Sequence, residues 1–172
     1  MTRRFDRDRT GAKLHAQTLS AIGHLDYNRA GAHAYEDALS VTLQLCGFGG
    51  VAQLYRRMVF NVVGRNQDDH TKNIAYVMGR DGTWRLSPAY DVTWAYNPGG
   101  EWTSRHQMTI AGKRDDLTRA DLRRVASRFG VRDADEVIDA VVAVVGDWKR
   151  YATEAGVADA YIDRISETHR LL

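Results

Sequence analysis

The sequence predicts a mostly helical α+β domain that carries one small β-hairpin. Three observations predict this fold class. Apolar residues recur at helical spacing through most of the chain. The pair Asp81-Gly82 separates two short apolar runs, which is a strong signal for a hairpin. The 172 residues show no repeat, low-complexity segment or internal boundary, and this length is typical of one domain.

Composition and charge narrow the class of protein. The 24 basic and 22 acidic residues leave a net charge of +2, which does not favour direct binding to nucleic acid. A single cysteine, Cys46, excludes an internal disulfide and fits a reducing compartment. The start MTRRFDRDR has no apolar signal core, and the longest apolar run, AVVAVVG, is too short to span a bilayer. We therefore expect a cytoplasmic protein.

The sequence of the first third of the chain indicates a turn followed by three helices. The turn is expected at Thr10-Gly11, after a short strand end in RRFDR. Helices are expected over about Leu14–Ile22, Tyr35–Leu45 and Val51–Val63, because apolar residues recur there at helical spacing. The glycine-rich CGFGG should break the chain between the second and the third helix.

The rest of the chain predicts the hairpin, a loop and further helices. IAYVMGRDGTWRL should form the hairpin, SPAYDVTWAYNPGGEW a loop, and HQMTI one more short strand. Thr118 should cap the next helix with Asp121 three residues on, and Gly130 should end it. Asp133 and Glu136 form a capping-box-like pair at the start of another helix, which should run through DADEVIDAVVAVVGDWKRYATEAG. Residues 158–172 should close the chain as an amphipathic helix.

The polar stretch GRNQDDHTKN, residues 64–73, lies between an apolar helix and the hairpin. Four residues separate Asp68 from Asn73, and Asp91 follows Asn73 by eighteen residues, beyond the hairpin. This order of acid, amide, hairpin and acid is the one that protein kinases use. Hard oxygen ligands suit Mg²⁺, and a carboxylate close to a hydroxyl group can accept its proton. The Asp–Asn pair alone is a weak signal, and the hairpin with the second acid strengthens it.

Two stretches, FNVVGRNQDDHTKN and WRLSPAYDV, resemble the C-terminal lobe of the HipA-like serine/threonine kinases, the toxins of HipA/HipB-type toxin–antitoxin modules. The family pattern reads close to F-N-x-x-x-x-N-x-D-D-H-x-K-N and then L-x-P-x-Y-D. The matching residues are Phe60, Asn61, Asn66, Asp68, Asp69, His70, Lys72, Asn73, Leu86, Pro88, Tyr90 and Asp91. RRFDR resembles the family's link between the kinase lobes, and LHAQTLSAIG resembles the segment after it. The resemblance covers most of the chain to about Ile110.

The resemblance implies a protein-kinase-like C-lobe of HipA type, with the active-site loop on the small hairpin and with ATP and Mg²⁺ as cofactors. Asp68 would be the catalytic base, and Asn73 and Asp91 would hold Mg²⁺. Phe5, in the link between the lobes, would lie beside the adenine.

The resemblance also gives roles to the residues between the base and the amide. Lys72 would act in catalysis, where it could meet the transferring phosphate or the Asp68 carboxylate. His70 would support the nucleotide-binding loop as a scaffold residue, and Asp69 would be structural.

Two features depart from the family pattern. Gln67 replaces the threonine that is common before the first Asp, which is a mild change. In the family, a segment with the phosphate-covering loop and the ATP-holding lysine precedes R-F-D-R, whereas this sequence starts two residues before that link. The only glycine cluster, GFGG, follows a helix and is expected to end it. We therefore expect residues 1–172 to be one C-terminal kinase domain without its N-lobe.

The resemblance implies partners as well. These are a protein substrate, such as an aminoacyl-tRNA synthetase, and a HipB-like DNA-binding antitoxin through which DNA would be met only indirectly. A separate N-lobe chain could complete the site. An alternative is a catalytically inactive or split C-lobe that binds the antitoxin or a partner lobe. A metal hydrolase using Asp, His and Asn is a third possibility, but the extra carboxylates or histidines of a two-metal site are missing.

Overall fold

The computed structural model describes residues 4–172, so Arg3 of the RRFDR segment lies outside the described residues. The described elements are, in chain order, β1 (His15–Thr18), α1 (Leu19–Ile22), α2 (Tyr35–Val63), a 3₁₀ helix (Thr71–Asn73), β2 (Ala75–Met78), β3 (Trp84–Leu86), α3 (Arg119–Phe129), α4 (Ala134–Gly146), α5 (Trp148–Glu154) and α6 (Asp159–Ser166). The mixed α+β class with one small antiparallel sheet confirms the predicted fold class.

The sheet has three antiparallel strands in the order β1-β2-β3. The predicted hairpin is confirmed as β2 and β3, with Gly82 in the connecting turn at φ 79°. The helix predicted over Leu14–Ile22 is wrong in its first part, because residues 15–18 form β1 and pair with β2, His15 lying opposite Met78. Pairing satisfies backbone groups along the second edge of the mostly buried β2, which outweighs the weak helical preference of so short a segment.

α2 contains the predicted break. The element runs from Tyr35 to Val63, but Gly47 has φ 66° and ψ −168°, a conformation that only glycine adopts readily. The break confirms the separation of two helices by the glycine cluster. Downstream of it, Leu54, Tyr55 and Met58 are almost fully buried, so this half of α2 forms the centre of the core. It packs there against α3, α4 and β3.

HQMTI does not form a strand. Thr109 makes a single bridge to Ala34, and Ile110 makes one to Lys113. The chain reverses directly afterwards, with φ 50° at Ala111 and positive φ at the next residue too, so no length remains for a ladder. The region from SPAYDV to GGEW is irregular, as predicted.

The caps of the C-terminal helices differ. The Thr118 hydroxyl accepts from the Asp121 backbone N–H, and Gly130 ends α3 in the left-handed conformation, so both predictions are confirmed. The capping box predicted at Asp133 and Glu136 is wrong. Asp133 has φ −94° and ψ 30°, whereas an N-cap needs extended backbone, and its side chain makes no cap hydrogen bond.

The last two predicted helices are shorter than expected. α4 ends at Gly146 and a separate α5 starts at Trp148, so the single long helix predicted there is divided. α6 stops at Ser166, and the residues after it fold back onto α2, where the Arg170 backbone N–H donates to the Val63 carbonyl at 2.9 Å. Among residues 4–172, no helix combines the length and the apolar character needed to cross a membrane.

Candidate functional site

The loop between α2 and β2 closes on itself through the predicted Asp–Asn pair. The 3₁₀ helix turns the chain so that Asn73 Nδ2 donates to the backbone carbonyl of Asp68 at 2.9 Å. This bond leaves Asn73 Oδ1 free to accept from a ligand. The Asp68 side chain is 46% exposed, so its carboxylate can be reached from solvent. The loop therefore presents one carboxylate and one amide oxygen from a fixed backbone.

The segment after β3 brings Asp91 to the same place. Gln67 N–H donates to the Ala95 carbonyl at 3.1 Å, and Ala95 N–H donates to the Arg65 carbonyl at 3.0 Å. Asp91 itself has a left-handed backbone with φ 53°. The pairing holds the two loops side by side, although Asp91 and Asn73 lie on opposite sides of the hairpin in sequence.

A small cavity, called here the Asn66 cavity, joins these residues. Its volume is about 20 Å³, enough for one water-sized species. It is lined by Tyr35, Leu54, Arg57, Asn61, Asn66, Asn73, Ile74, Ala89, Tyr90, Asp91 and Val92. The structure thus brings Asn73 and Asp91 to one cavity, with Asp68 beside it through its bond to Asn73.

The oxygen atoms around the Asn66 cavity fit a hard cation. Asp91 contributes a carboxylate and Asn73 an amide oxygen, and the buried Asn66 Oδ1 accepts no hydrogen bond from a described residue. Mg²⁺ takes such oxygen ligands together with several waters. In the described part of the chain, no group of three or more His, Cys, Asp or Glu side chains could hold a metal ion.

Asp69 holds the loop in place through buried hydrogen bonds. Its buried carboxylate accepts from the Tyr35 hydroxyl at 3.0 Å, from His106 Nδ1 at 2.8 Å and from the Gln107 backbone N–H at 2.8 Å. Burial, and then the charge of Asp69, raise the pKa of Tyr35 well above its ordinary value. The Tyr35 hydroxyl therefore stays protonated and donates to Asp69. These three donors tie Asp69, and with it the loop, to α2 and to residues 106–107.

The polar chain continues from Tyr35 to the Asp91 loop. Asn61 Nδ2 donates to the Tyr35 hydroxyl oxygen at 2.9 Å, and Asn66 Nδ2 donates to Asn61 Oδ1 at 3.0 Å. Asn66 Nδ2 also lies 3.5 Å from the Asp91 carbonyl oxygen. One hydrogen-bonded chain thus links the buried Asp69 to the backbone of the second acid.

Lys72 and His70 both contact Tyr27, a residue that no sequence pattern indicated. Lys72 Nζ lies 3.4 Å from the centroid of the Tyr27 ring, and the His70 ring meets the same ring edge-on at 5.6 Å. His70 Nε2 is 3.9 Å from Asp68 Oδ1, which fits a supporting position for His70. Lys72 pairs with no carboxylate among the described residues; it is held by an aromatic face.

Phe5 lines a second cavity, called here the Phe5 cavity, of about 360 Å³. Its other lining residues are Arg4, Asp6, Ala16, Gln17, Thr18, Ala75 and Tyr90. The Phe5 and Tyr90 rings are 5.5 Å apart, and the Tyr90 hydroxyl donates to the Lys72 carbonyl. Burial, and then the charge of Asp91, raise the pKa of Tyr90 to about 12. Because Tyr90 lines both cavities, it is the wall between them.

Residues near the C-terminus hydrogen-bond to both site loops. The Thr168 carbonyl accepts from Arg65 Nε at 2.8 Å, and the Thr168 hydroxyl accepts from Trp94 Nε1 at 2.8 Å. Arg65 has φ 57° and also stacks on the Tyr96 ring at 4.4 Å. Both ends of the pairing between the loops are therefore tied to the end of the chain.

The chain is similar to known proteins in its sequence pattern and in its fold. A family model described as the HipA-like C-terminal domain matches residues 1–148. No curated protein matches the chain. Among solved structures, the chain is similar to one from the complex of HipA, HipB and operator DNA of the Shewanella oneidensis MR-1 toxin–antitoxin system, with 16% identity and a TM-score of 0.72. The match covers 95% of this chain and 46% of the other, so this chain spans about half of that relative's length.

Proposed function

Because the chain belongs to the family of HipA-like C-terminal domains, we propose that it is the C-terminal lobe of a toxin kinase. It would transfer the γ-phosphoryl group of ATP to a serine or threonine of a protein. One observation carries this proposal. Asn73 and Asp91, from opposite sides of the hairpin, line one small cavity, and Asn73 is bonded to the backbone of Asp68. Phosphoryl transfer uses a base together with oxygen ligands for Mg²⁺, and these two neighbouring loops carry all three residues.

Each of the three residues has a task in the reaction. The half-exposed Asp68 carboxylate accepts the proton of the attacking hydroxyl group, a task that needs position more than basicity. Asn73 Oδ1 and the Asp91 carboxylate hold Mg²⁺. When bound, the cation neutralises charge on the phosphate oxygens. The loop pairing and the hydrogen-bonded chain from Asp69 keep these oxygens in place before the nucleotide arrives.

We assign the adenine to the Phe5 cavity. Its volume of about 360 Å³ lies in the range of small-molecule sites. Phe5 and Tyr90 offer aromatic faces to a purine, and Tyr90 places this cavity next to the metal ligands. Lys72 would leave the Tyr27 ring to meet a phosphate. The exposed cation–π contact that it gives up is worth only about 0.5–1 kcal/mol, less than a charge-assisted bond to phosphate.

The family also suggests partners. The matched structure is a complex of HipA with HipB and operator DNA. We propose a HipB-like antitoxin for this chain, contact with DNA only through that antitoxin, and a cytoplasmic protein substrate such as an aminoacyl-tRNA synthetase. The relative is about twice as long as this chain. We therefore propose that an N-lobe, from a longer chain or from a separate one, supplies the remaining phosphate contacts.

A second candidate function is that of an inactive or split C-lobe that holds the antitoxin or a partner lobe. The matched structure, a complex of HipA with HipB and operator DNA, favours a partner-holding role. The two functions differ in whether the half-site binds nucleotide.

Calorimetric titration of the purified chain with Mg–ATP tests the proposal. We expect binding in the wild type and its loss in Asp91→Ala. Asp116→Ala is a matched control, since Asp116 is another exposed aspartate with positive φ (50°) but does not line the Asn66 cavity. Binding that persists in Asp91→Ala would contradict the role of Asp91. No binding in the wild type would leave the partner-holding function.

A further inference from the structure

The starting point is an unpaired atom inside the site. Asn66 is 3% exposed, and its Oδ1 is buried without a hydrogen bond from any described residue. Buried polar atoms in proteins nearly always have a partner, because an unpaired one has lost its bond to water without replacement. The atom therefore indicates a hydrogen-bond donor, such as a water, that occupies the cavity.

The identity of this atom as an oxygen follows from the polar chain. The two ends of an asparagine amide look alike, so their assignment depends on their partners. The Tyr35 hydroxyl donates its single proton to Asp69 Oδ2, so the Tyr35 oxygen must accept from Asn61 Nδ2. Asn61 is left with Oδ1 for Asn66, and Asn66 must present Nδ2 to it. The Asp69 carboxylate at one end of the hydrogen-bonded chain thus sets the orientation of the Asn66 amide at the other end, with Oδ1 as the acceptor.

The cavity limits what this acceptor can bind. The cavity volume of about 20 Å³ admits one water-sized species, so it has room for one metal-bound water, and the cation itself would lie at the edge of the cavity. Asn73 and Asp91, the proposed Mg²⁺ ligands, line the same cavity. Mg²⁺ in proteins usually keeps several of its waters, and each of these waters is a strong hydrogen-bond donor.

We infer that Asn66 Oδ1 accepts a hydrogen bond from a water ligand of the divalent cation that Asn73 and Asp91 hold. Asn66 is then a positioning residue of the metal site, and Asp69 sets its orientation through Tyr35 and Asn61. This inference rests on the proposed function, because it presupposes a cation at Asn73 and Asp91. Loss of such an outer partner typically weakens metal binding by about 10- to 100-fold.

Titration of the chain with Mn²⁺, followed by electron paramagnetic resonance of the free ion, tests the inference without turnover. We expect Asn66→Ala to weaken Mn²⁺ binding by about 10-fold or more. Tyr35→Phe, which leaves Asn66 in place and frees the Asn61 amide to turn, should weaken it by a smaller factor. Asn97→Ala removes an exposed amide that does not line the cavity, and should leave binding unchanged.

Rescue by Asn66→Asp separates a metal role from a structural one. Aspartate keeps an oxygen for the metal-bound water but cannot donate to Asn61. The inference expects Mn²⁺ binding at least as tight as in the wild type, whereas a purely structural Asn66 predicts the same loss as in Asn66→Ala. Asn97→Asp controls for the added charge, and should gain less affinity than Asn66→Asp.

The outcomes separate this inference from the proposed function. If Asp91→Ala abolishes Mn²⁺ binding while Asn66→Ala and Tyr35→Phe bind normally, the role of Asn66 is wrong and the metal site stands. If the wild type binds no Mn²⁺, this inference is wrong, and the Mg–ATP titration decides the proposed function. If Asp91→Ala binds Mn²⁺ normally, both are wrong. Circular dichroism of each variant establishes that it is folded, and Tyr35→Phe carries the test if Asn66→Ala does not fold.

Discussion

At the scale of single residues, Asp91 shows how the site is built. Its φ of 53° lies in the left-handed region, which residues with a Cβ rarely adopt. Aspartate tolerates that region better than most residues, because its short side chain can bond locally. Glycine would be relaxed there but would bring no carboxylate. The chain therefore keeps a strained backbone where the proposed chemistry needs an oxygen ligand, in line with the clustering of such outliers at functional sites.

Asp68 should affect phosphorylation but not nucleotide binding. In any active assembly containing this chain, we expect Asp68→Gln to lower phosphorylation by about 100-fold or more, because the hydroxyl proton loses its acceptor. Mg–ATP binding should stay within about twofold, since Asp68 does not line the Asn66 cavity. Asp91→Ala should abolish both phosphorylation and binding. Phosphate transfer at the wild-type rate in either variant would contradict the assigned roles.

The sequence predicted some site residues and missed others for a physical reason. The spacing of Asp68, Asn73 and Asp91 is a local pattern around a hairpin, and it can be read along the chain. Tyr35 and His106 meet Asp69 across 34 and 37 residues, and no periodicity encodes such contacts. A buried carboxylate requires donors, but the sequence does not say which ones.

At the scale of elements, local signals succeeded where the backbone agreed with them. Thr118 and Asp133 both begin helices and both have a suitable side chain, but only Thr118 has the extended backbone that lets it cap. The hairpin was predicted from Asp81-Gly82 between two apolar runs, while β1 was missed because it exists only through pairing with β2. Capping and strand formation thus depended on tertiary context, which local sequence does not contain.

The break in α2 should depend on glycine at position 47. Its φ of 66° with ψ −168° excludes a side chain, so Gly47→Ala should lower the free energy of unfolding by about 1–3 kcal/mol. Gly49, two residues on, is exposed, helical and has nothing within 4 Å of an added Cβ. Gly49→Ala should therefore raise the free energy of unfolding by about 0.5–1 kcal/mol. Urea denaturation of both variants measures the difference, and equal effects would contradict the break at Gly47.

At the scale of the whole molecule, the core and the site share one element. The second half of α2 fills the core with Leu54 and Met58, and it carries Asn61 into the polar chain. The last residues of the chain close on the same helix, at Val63, and brace the loop of Trp94 through Thr168. Packing of the core thus fixes the geometry of the site, which is why local sequence could not reveal the polar chain.

Asp121 gives a prediction about the stability of the whole domain. Burial alone would raise the pKa of Asp121, but hydrogen bonds from Lys113 and Thr118 lower it to about 2. Because the folded pKa is below the usual value of 3.8, this carboxylate stabilises the fold above about pH 4. The stabilisation should disappear as pH falls towards 2.

Thermal unfolding between pH 7 and pH 2 measures this effect. Asp121→Asn should have a lower Tm than the wild type at pH 7, and the gap should shrink as pH falls from 4 to 2. Asp163→Asn, at an exposed ion pair with Lys149, is the control and should change Tm little. A gap between Asp121→Asn and the wild type that stays constant down to pH 2 would contradict the assignment.

The directed chain from Asp69 through Tyr35 and Asn61 to Asn66 also bears on how such a domain evolves. Each member is useful only while its neighbour keeps the matching donor or acceptor, so the costs of substitutions along the chain do not add. Once one member is lost, selection on the others weakens, and a lineage that abandoned the site would drift at all four positions together. We therefore expect related domains either to keep all four residues or to lose them together.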